Sequence, residues 1–125
     1  MSGSRRHAYT SGIQRVADLP RGWDGQGSPP LQDRARLVAG TLLDVIDLDD
    51  MPTPQIVPVV GGGIQIEWVA GPRELEIEIR PTGRIVYLGT CEERDVLEGE
   101  TDDVNDIARV VRWLACAVSD MAGGK

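Results

Sequence analysis

Gly63-Ile64-Gln65-Ile66-Glu67-Trp68-Val69-Ala70-Gly71-Pro72-Arg73-Glu74-Leu75-Glu76-Ile77-Glu78-Ile79 is the stretch that decides the fold. Ile64, Ile66 and Trp68 alternate with Gln65 and Glu67, and Leu75, Ile77 and Ile79 alternate with Glu74, Glu76 and Glu78. Successive side chains of a strand point to opposite faces, so this period marks two half-buried strands. The segment between them is so short that the strands must be antiparallel neighbours. With a loop over Ala70 to Arg73, Val69 pairs with Glu74, and Trp68, Ile66 and Ile64 face Leu75, Ile77 and Ile79. Every apolar residue then falls on one side, and Glu67, Glu74, Glu76 and Glu78 fall on the other.

Working outward, Gln55 to Val60 reads as a preceding strand, and Pro58 within it suits an edge. Gly61-Gly62-Gly63 supplies a turn. After a turn at Pro81-Thr82-Gly83, Arg84 to Gly89 closes the sheet, and Cys91 to Glu100 follows as a charged loop. Three helices flank these strands. Ser11 caps one that runs to Leu19, with Ile13, Val16 and Ala17 on a shared face, and Pro20 stops it. Ser28 caps the next, with Pro29 at its first position and a stripe of Leu31, Ala35, Val38, Leu42, Val45 and Ile46. This helix ends near Asp47, where Asp47, Asp49 and Asp50 crowd the terminus that disfavours negative charge. Thr101 caps the last helix, whose stripe of Val104, Ile107, Ala108, Val111, Leu114, Ala115 and Val118 is widened by Val110, Trp113 and Ala117.

The fold class expected is therefore α+β: an antiparallel β-meander of three to four strands, with two N-terminal helices and one C-terminal helix on one face. Residues 11–120 form a single domain between a flexible lead, 1–10, and a flexible tail, 121–125.

Composition narrows the function. The chain has 125 residues, a formal net charge of -7 and a pI near 4.6. An anionic protein is repelled by nucleic-acid backbones and anionic membranes, so neither is expected as a partner, and a basic protein is. No run approaches the ~20 apolar residues of a membrane span. Arg5 and Arg6 are followed by no apolar stretch, so the start is not read as a secretory signal. Cys91 and Cys116 lack a CxxC spacing, and reduced thiols in the cytoplasm are the expectation.

Familiar catalytic constellations are missing. The single histidine, His7, lies in the polar lead, so neither a Ser/His/Asp set nor a Cys/His pair can be assembled around it. His/Cys metal sites lack ligands. Gly61-Gly62-Gly63 is followed by a strand, with no Gly-Lys-Ser/Thr, so it is no phosphate-binding loop. No catalytic residue, metal or cofactor is expected.

What remains is surface chemistry. Glu67, Glu74, Glu76 and Glu78 form an acidic face that is solvated, a dock for a basic partner, or a divalent-cation or general acid/base site, the last disfavoured because an exposed sheet face is convex and wet. Trp23-Asp24-Gly25, in a Gly/Pro-rich segment, is either a lid whose Asp closes an Asx-turn or a recognition loop with an aromatic anchor. Val110, Trp113 and Ala117 are either covered by the first helix or form a self-association seam.

Leu19-Pro20-Arg21-Gly22-Trp23-Asp24-Gly25, Gly62-Gly63-Ile64-Gln65-Ile66-Glu67-Trp68 and Leu75-Glu76-Ile77-Glu78-Ile79 together resemble a recurring pattern in small uncharacterised bacterial proteins. The resemblance spans residues 19 to 88 and carries no named activity. It implies a bacterial protein in which Trp23, Asp24, Gly25, Gly63 and Trp68 belong to one structural or recognition unit.

The sequence thus favours a non-catalytic acidic module that docks a basic protein, in the manner of an inhibitor, antitoxin, immunity protein or chaperone. The alternatives are a small-ligand domain or minor enzyme using the Trp23-Asp24-Gly25 loop, and a structural homodimer subunit.

Overall fold

In the computed structural model, the backbone is described for residues 2–46, 49 and 51–122, and side chains for 5–46, 49 and 51–117. The element order is α1 (Ser2–Ala17), α2 (Asp33–Val45), β1 (Gln55–Val59), β2 (Gly63–Ala70), β3 (Arg73–Ile79), β4 (Ile85–Cys91), β5 (Arg94–Thr101) and α3 (Val104–Ala122). The strands form one antiparallel sheet in chain order, β1-β2-β3-β4-β5, and the three helices pack against one of its faces. The α+β meander is as the alternation predicts, with one strand more than expected.

The β2–β3 register is the predicted one, with Val69 opposite Glu74, Trp68 opposite Leu75, Ile66 opposite Ile77 and Ile64 opposite Ile79. The loop is tighter than expected. Ala70 pairs with Arg73, leaving Gly71-Pro72 as the turn, with Gly71 at φ 61°. Ile64, Ile66, Trp68, Leu75, Ile77, Ile79 and Ile85 are buried, facing Ala35, Ala39 and Leu42 of α2 and Ile107, Val111 and Leu114 of α3 within one core. Burying an aliphatic side chain of this kind contributes roughly 1.5–3 kcal/mol, so the core rests on its Ile and Leu residues in a chain without Phe.

Residues 92–101 are not a charged loop throughout. After a turn at Glu92-Glu93, the chain returns as β5, with Ile85 opposite Thr101, Tyr87 opposite Gly99 and Gly89 opposite Leu97. Glu92 and Glu93 adopt φ 52° and 67°, the left-handed conformation that a two-residue hairpin turn demands and that Gly or Asn usually supplies.

The first helix starts at Ser2 rather than Ser11, so residues 2–10 are helical. Tyr9, Ile13 and Val16 form its buried stripe, and Tyr9 accepts a 2.6 Å hydrogen bond from the indole N–H of Trp68. Ser11 lies mid-helix, its hydroxyl 3.2 Å from Nε2 of the exposed His7. Gly12 allows α1 to settle on β1, because a Cβ there would stand 2.7 Å from Ile56 Cδ1.

Ser28 does not cap α2. The helix begins at Asp33 after Gln32 and ends at Val45, with Ala35, Ala39, Leu42 and Leu43 buried. Asp47 and Asp50 of the expected acidic end lie outside the described residues. Asp103, not Thr101, caps α3: its carboxylate accepts the Asn105 N–H at 2.9 Å. Thr101 ends β5, and its hydroxyl donates to Asp106 at 2.5 Å. The side chain of Val118, and residues 123–125 of the expected tail, lie outside the described residues.

Cys91 is half-buried and Cys116 exposed, both as free thiols. No described helix is long and apolar enough to cross a membrane.

Candidate functional site

Because the helices occupy one face, the other face of the sheet is open. Strand pairing lays its residues out in cross-strand rows. One row runs Gln55, Glu67, Glu76, Leu88, Glu98, and the next runs Val57, Gln65, Glu78, Val86, Glu100. Glu74 lies in a third row, between Val69 and Thr90. The predicted acidic residues therefore share one face, and β5 adds Glu98 and Glu100 to it.

Glu67 and Glu76 stand directly opposite each other. Like charges so placed repel. The amide of Gln65 eases this by donating to Glu67 at 2.6 Å and to Glu76 at 3.2 Å. Arg80 lies 3.7 Å from Glu78 and 3.9 Å from Glu100. Arg84 pairs more closely, with Glu100 at 2.6 Å and Asp102 at 3.0 Å. The hydrogen bond from Arg84, aided by the charges of Arg84 and Arg80, holds Glu100 below the ordinary carboxylate value. The same bond, with the Asp102 charge, raises the Arg84 guanidinium. Cations thus gather at one end of the face, while Glu74 and Glu98 have no ion pair among the described residues. Half-buried Val86 and Leu88 sit between the β3 and β5 carboxylates and give the face an apolar strip inside an acidic surround. Among the described residues, no three His, Cys, Asp or Glu side chains converge as metal ligands. The strand spacing sets the glutamates in rows across a surface.

The loop containing Trp23-Asp24-Gly25 closes on itself. Asp24 accepts the Gln26 N–H at 2.9 Å, the Ser28 N–H at 3.1 Å and the Ser28 hydroxyl at 2.8 Å. These bonds, that of Gln26 foremost, hold its carboxyl below the usual range. Gly25, at φ 78°, takes the left-handed turn. Buried Ser28 also accepts the Gly61 N–H at 3.4 Å, tying the loop to the β1–β2 turn. Trp23 is half-exposed and is not part of the hydrophobic core. Gly63 admits the Ile79 carbonyl, which a Cβ would approach to 2.6 Å, and Trp68 is a core residue bonded to Tyr9.

On α3, Val110 and Ala117 are buried within the chain itself. Trp113 is half-buried, with its ring against Gly89, where a Cβ would come within 2.9 Å of it. The Arg73 guanidinium stacks 4.9 Å from the ring centroid and donates to the Trp113 carbonyl at 2.5 Å. α3 as a whole packs mainly against α2, β3 and β2.

Sequence reasoning missed a cleft of about 400 Å³ between the helix-facing side of β4–β5 and α3, walled by Tyr87, Leu97, Val110 and Trp113 with Glu100, Thr101, Asp106 and Arg109 at its polar side. Seeing it requires recognising β5, for which the alternation of Leu97, Gly99 and Thr101 with Glu98 and Glu100 is the available signal.

Set against known protein families, curated proteins and solved structures, the chain matches none.

Proposed function

We propose that this protein is a non-catalytic, acidic protein-binding module whose open sheet face docks a basic partner, in the manner of an inhibitor, antitoxin, immunity protein or chaperone. The observation that carries this is the open face itself: Glu67, Glu74, Glu76, Glu78, Glu98 and Glu100 arrayed on a hydrogen-bonded sheet around Val86 and Leu88. A rigid scaffold limits the ordering entropy lost on binding, and the glutamates supply steering and register. Val86 and Leu88 supply apolar contact that charge alone does not. The use of Asp24 carboxylate oxygens inside its own loop weighs against that residue as a ligand-binding or acid/base group.

The test compares immobilised wild type with a Glu74→Gln, Glu76→Gln, Glu78→Gln variant, both confirmed folded by circular dichroism, for retention of basic proteins at low and moderate salt. Retention by wild type that falls with salt and is lost in the variant supports the reading. Equal retention by both proteins removes the acidic face from the mechanism.

A further inference from the structure

The two edges of the sheet are unlike. At the β1 edge, Pro58 removes a backbone donor from the middle of the strand, and α1 packs on β1. At the other edge, β5 presents eight residues without a proline, and β4 is its only strand neighbour among the described residues. The register shifts opposite Gly89 and Thr90, leaving residues 97–101 as the regular run. An edge run of this kind holds outward amide and carbonyl groups that template another extended chain.

The side chains of β5 specify what that chain would be. Leu97, Gly99 and Thr101 turn toward the helices, and Glu98 and Glu100 turn toward the open face. Below the edge on the helix side is the cleft, with Tyr87, Leu97, Val110 and Trp113 on its apolar side and Glu100, Thr101, Asp106 and Arg109 on its polar side. Gly99 lets the half-buried Tyr87 ring lie across β5 there, since a Cβ at Gly99 would collide with the ring and its hydroxyl. An added strand therefore meets the aromatic and apolar side of this mixed cleft with one set of alternate residues and the open-face carboxylates with the other. A second copy of β5 fits this poorly. Antiparallel pairing centred on Glu98 or Gly99 sets Glu98 opposite Glu98 or Glu100, and each copy brings a net charge of -7.

We infer that the basic partner is received by β-strand addition along β5, through an extended segment alternating Arg or Lys with apolar residues. Its cations lie beside Glu98 on the open face, a carboxylate with no ion pair among the described residues, whereas Glu100 is already held by Arg84. Its apolar side chains enter the apolar side of the cleft under β5. Such strand addition presupposes that the open face receives a basic protein, and it specifies how.

Three labelled synthetic peptides, each as long as β5, test this by fluorescence anisotropy at low salt. One alternates arginine with valine, one has the same composition in two blocks, and one is the alternating peptide with every second amide N-methylated. Hydrogen exchange of residues 94–101 is followed alongside, and sedimentation gives the state of the free protein. The expected result is that the alternating peptide binds about tenfold or more tighter than its N-methylated form, as the loss of one to three net hydrogen bonds implies. It also binds more tightly than the block peptide and slows exchange across 94–101. Equal binding of all three without slowed exchange overturns strand addition and leaves the acidic docking face standing. No binding by any peptide overturns both. A peptide-free dimer with residues 94–101 already protected overturns the inference in favour of a second copy at β5.

Discussion

Replacing Tyr9 by phenylalanine removes one oxygen from the centre of the molecule. Tyr9 is fully buried, its hydroxyl takes the Trp68 indole N–H at 2.6 Å, and the two rings lie 6.3 Å apart at 45°. The variant keeps the ring packing and leaves a buried N–H without an acceptor, which costs roughly 1–3 kcal/mol. In a chain of this size each kcal/mol shifts Tm by roughly 4 °C, so Tm falls by roughly 4–12 °C. A pH dependence accompanies the loss. Burial pushes the Tyr9 phenol up to about 12, against the opposing pull of the Trp68 hydrogen bond and the Arg5 charge. The neutral phenol is the form the fold favours, so its contribution is fully present below the unfolded value near 10. It is lost as pH rises toward the folded value, by about 2–3 kcal/mol over the whole interval. The phenyl ring of the Tyr9→Phe variant cannot ionise, so the stability gap between wild type and variant narrows from about pH 9 upward. Urea denaturation followed by circular dichroism at neutral and alkaline pH measures both quantities. Equal stability at neutral pH would show that the hydroxyl is not a buried partner. A gap that stays constant into alkali would show that the phenol ionises as freely in the fold as in the unfolded chain.

Other perturbations probe the loop, the sheet and the open face. Glu76→Gln keeps an acceptor for Gln65 and removes the charge facing Glu67, so denaturant unfolding is expected to show a gain of roughly 0.2–1 kcal/mol. Gly63→Ala drives a methyl against the Ile79 carbonyl and is expected to destabilise by roughly 1–3 kcal/mol in the same assay. Asp24 has a lowered folded pKa, so its loop is held in place above the ordinary carboxylate range and loosens as pH falls through the lowered value. The amide resonances of Gln26 and Ser28 should move together in that acid range, and Asp24→Asn should abolish the transition.

The β2–β3 hairpin was legible because its two faces differ so sharply: a one-residue slip would bury Glu76 and expose Ile77. The same alternation placed Glu67, Glu74, Glu76 and Glu78 together. β5 was obscured by two glutamates at its turn, where local propensity favours Gly or Asn, and by the absence of a fully buried face along an edge strand. The early part of α1 was obscured because Tyr9 is the one large apolar side chain between Ser2 and Ser11 and is fixed by a residue 59 positions away. Tertiary partners of that kind leave no local trace. Ser28 illustrates a competition. As Ser-Pro-Pro it has the form of a helix start, yet Asp24 and Gly61 use its hydroxyl first. The cleft under β5 was illegible for a related reason, since its walls come from a strand and a helix whose juxtaposition depends on the whole sheet.

The three tryptophans are placed so that each answers a different question. Trp23 stands half-exposed on the closed loop, Trp68 is sealed in the core, and Trp113 borders the cleft under the arginine of β3. Variants retaining one indole at a time would turn the protein into its own optical sensor. Emission from Trp68 would follow unfolding, emission from Trp23 would follow the loop, and emission from Trp113 would change when a guest strand lies along the neighbouring edge.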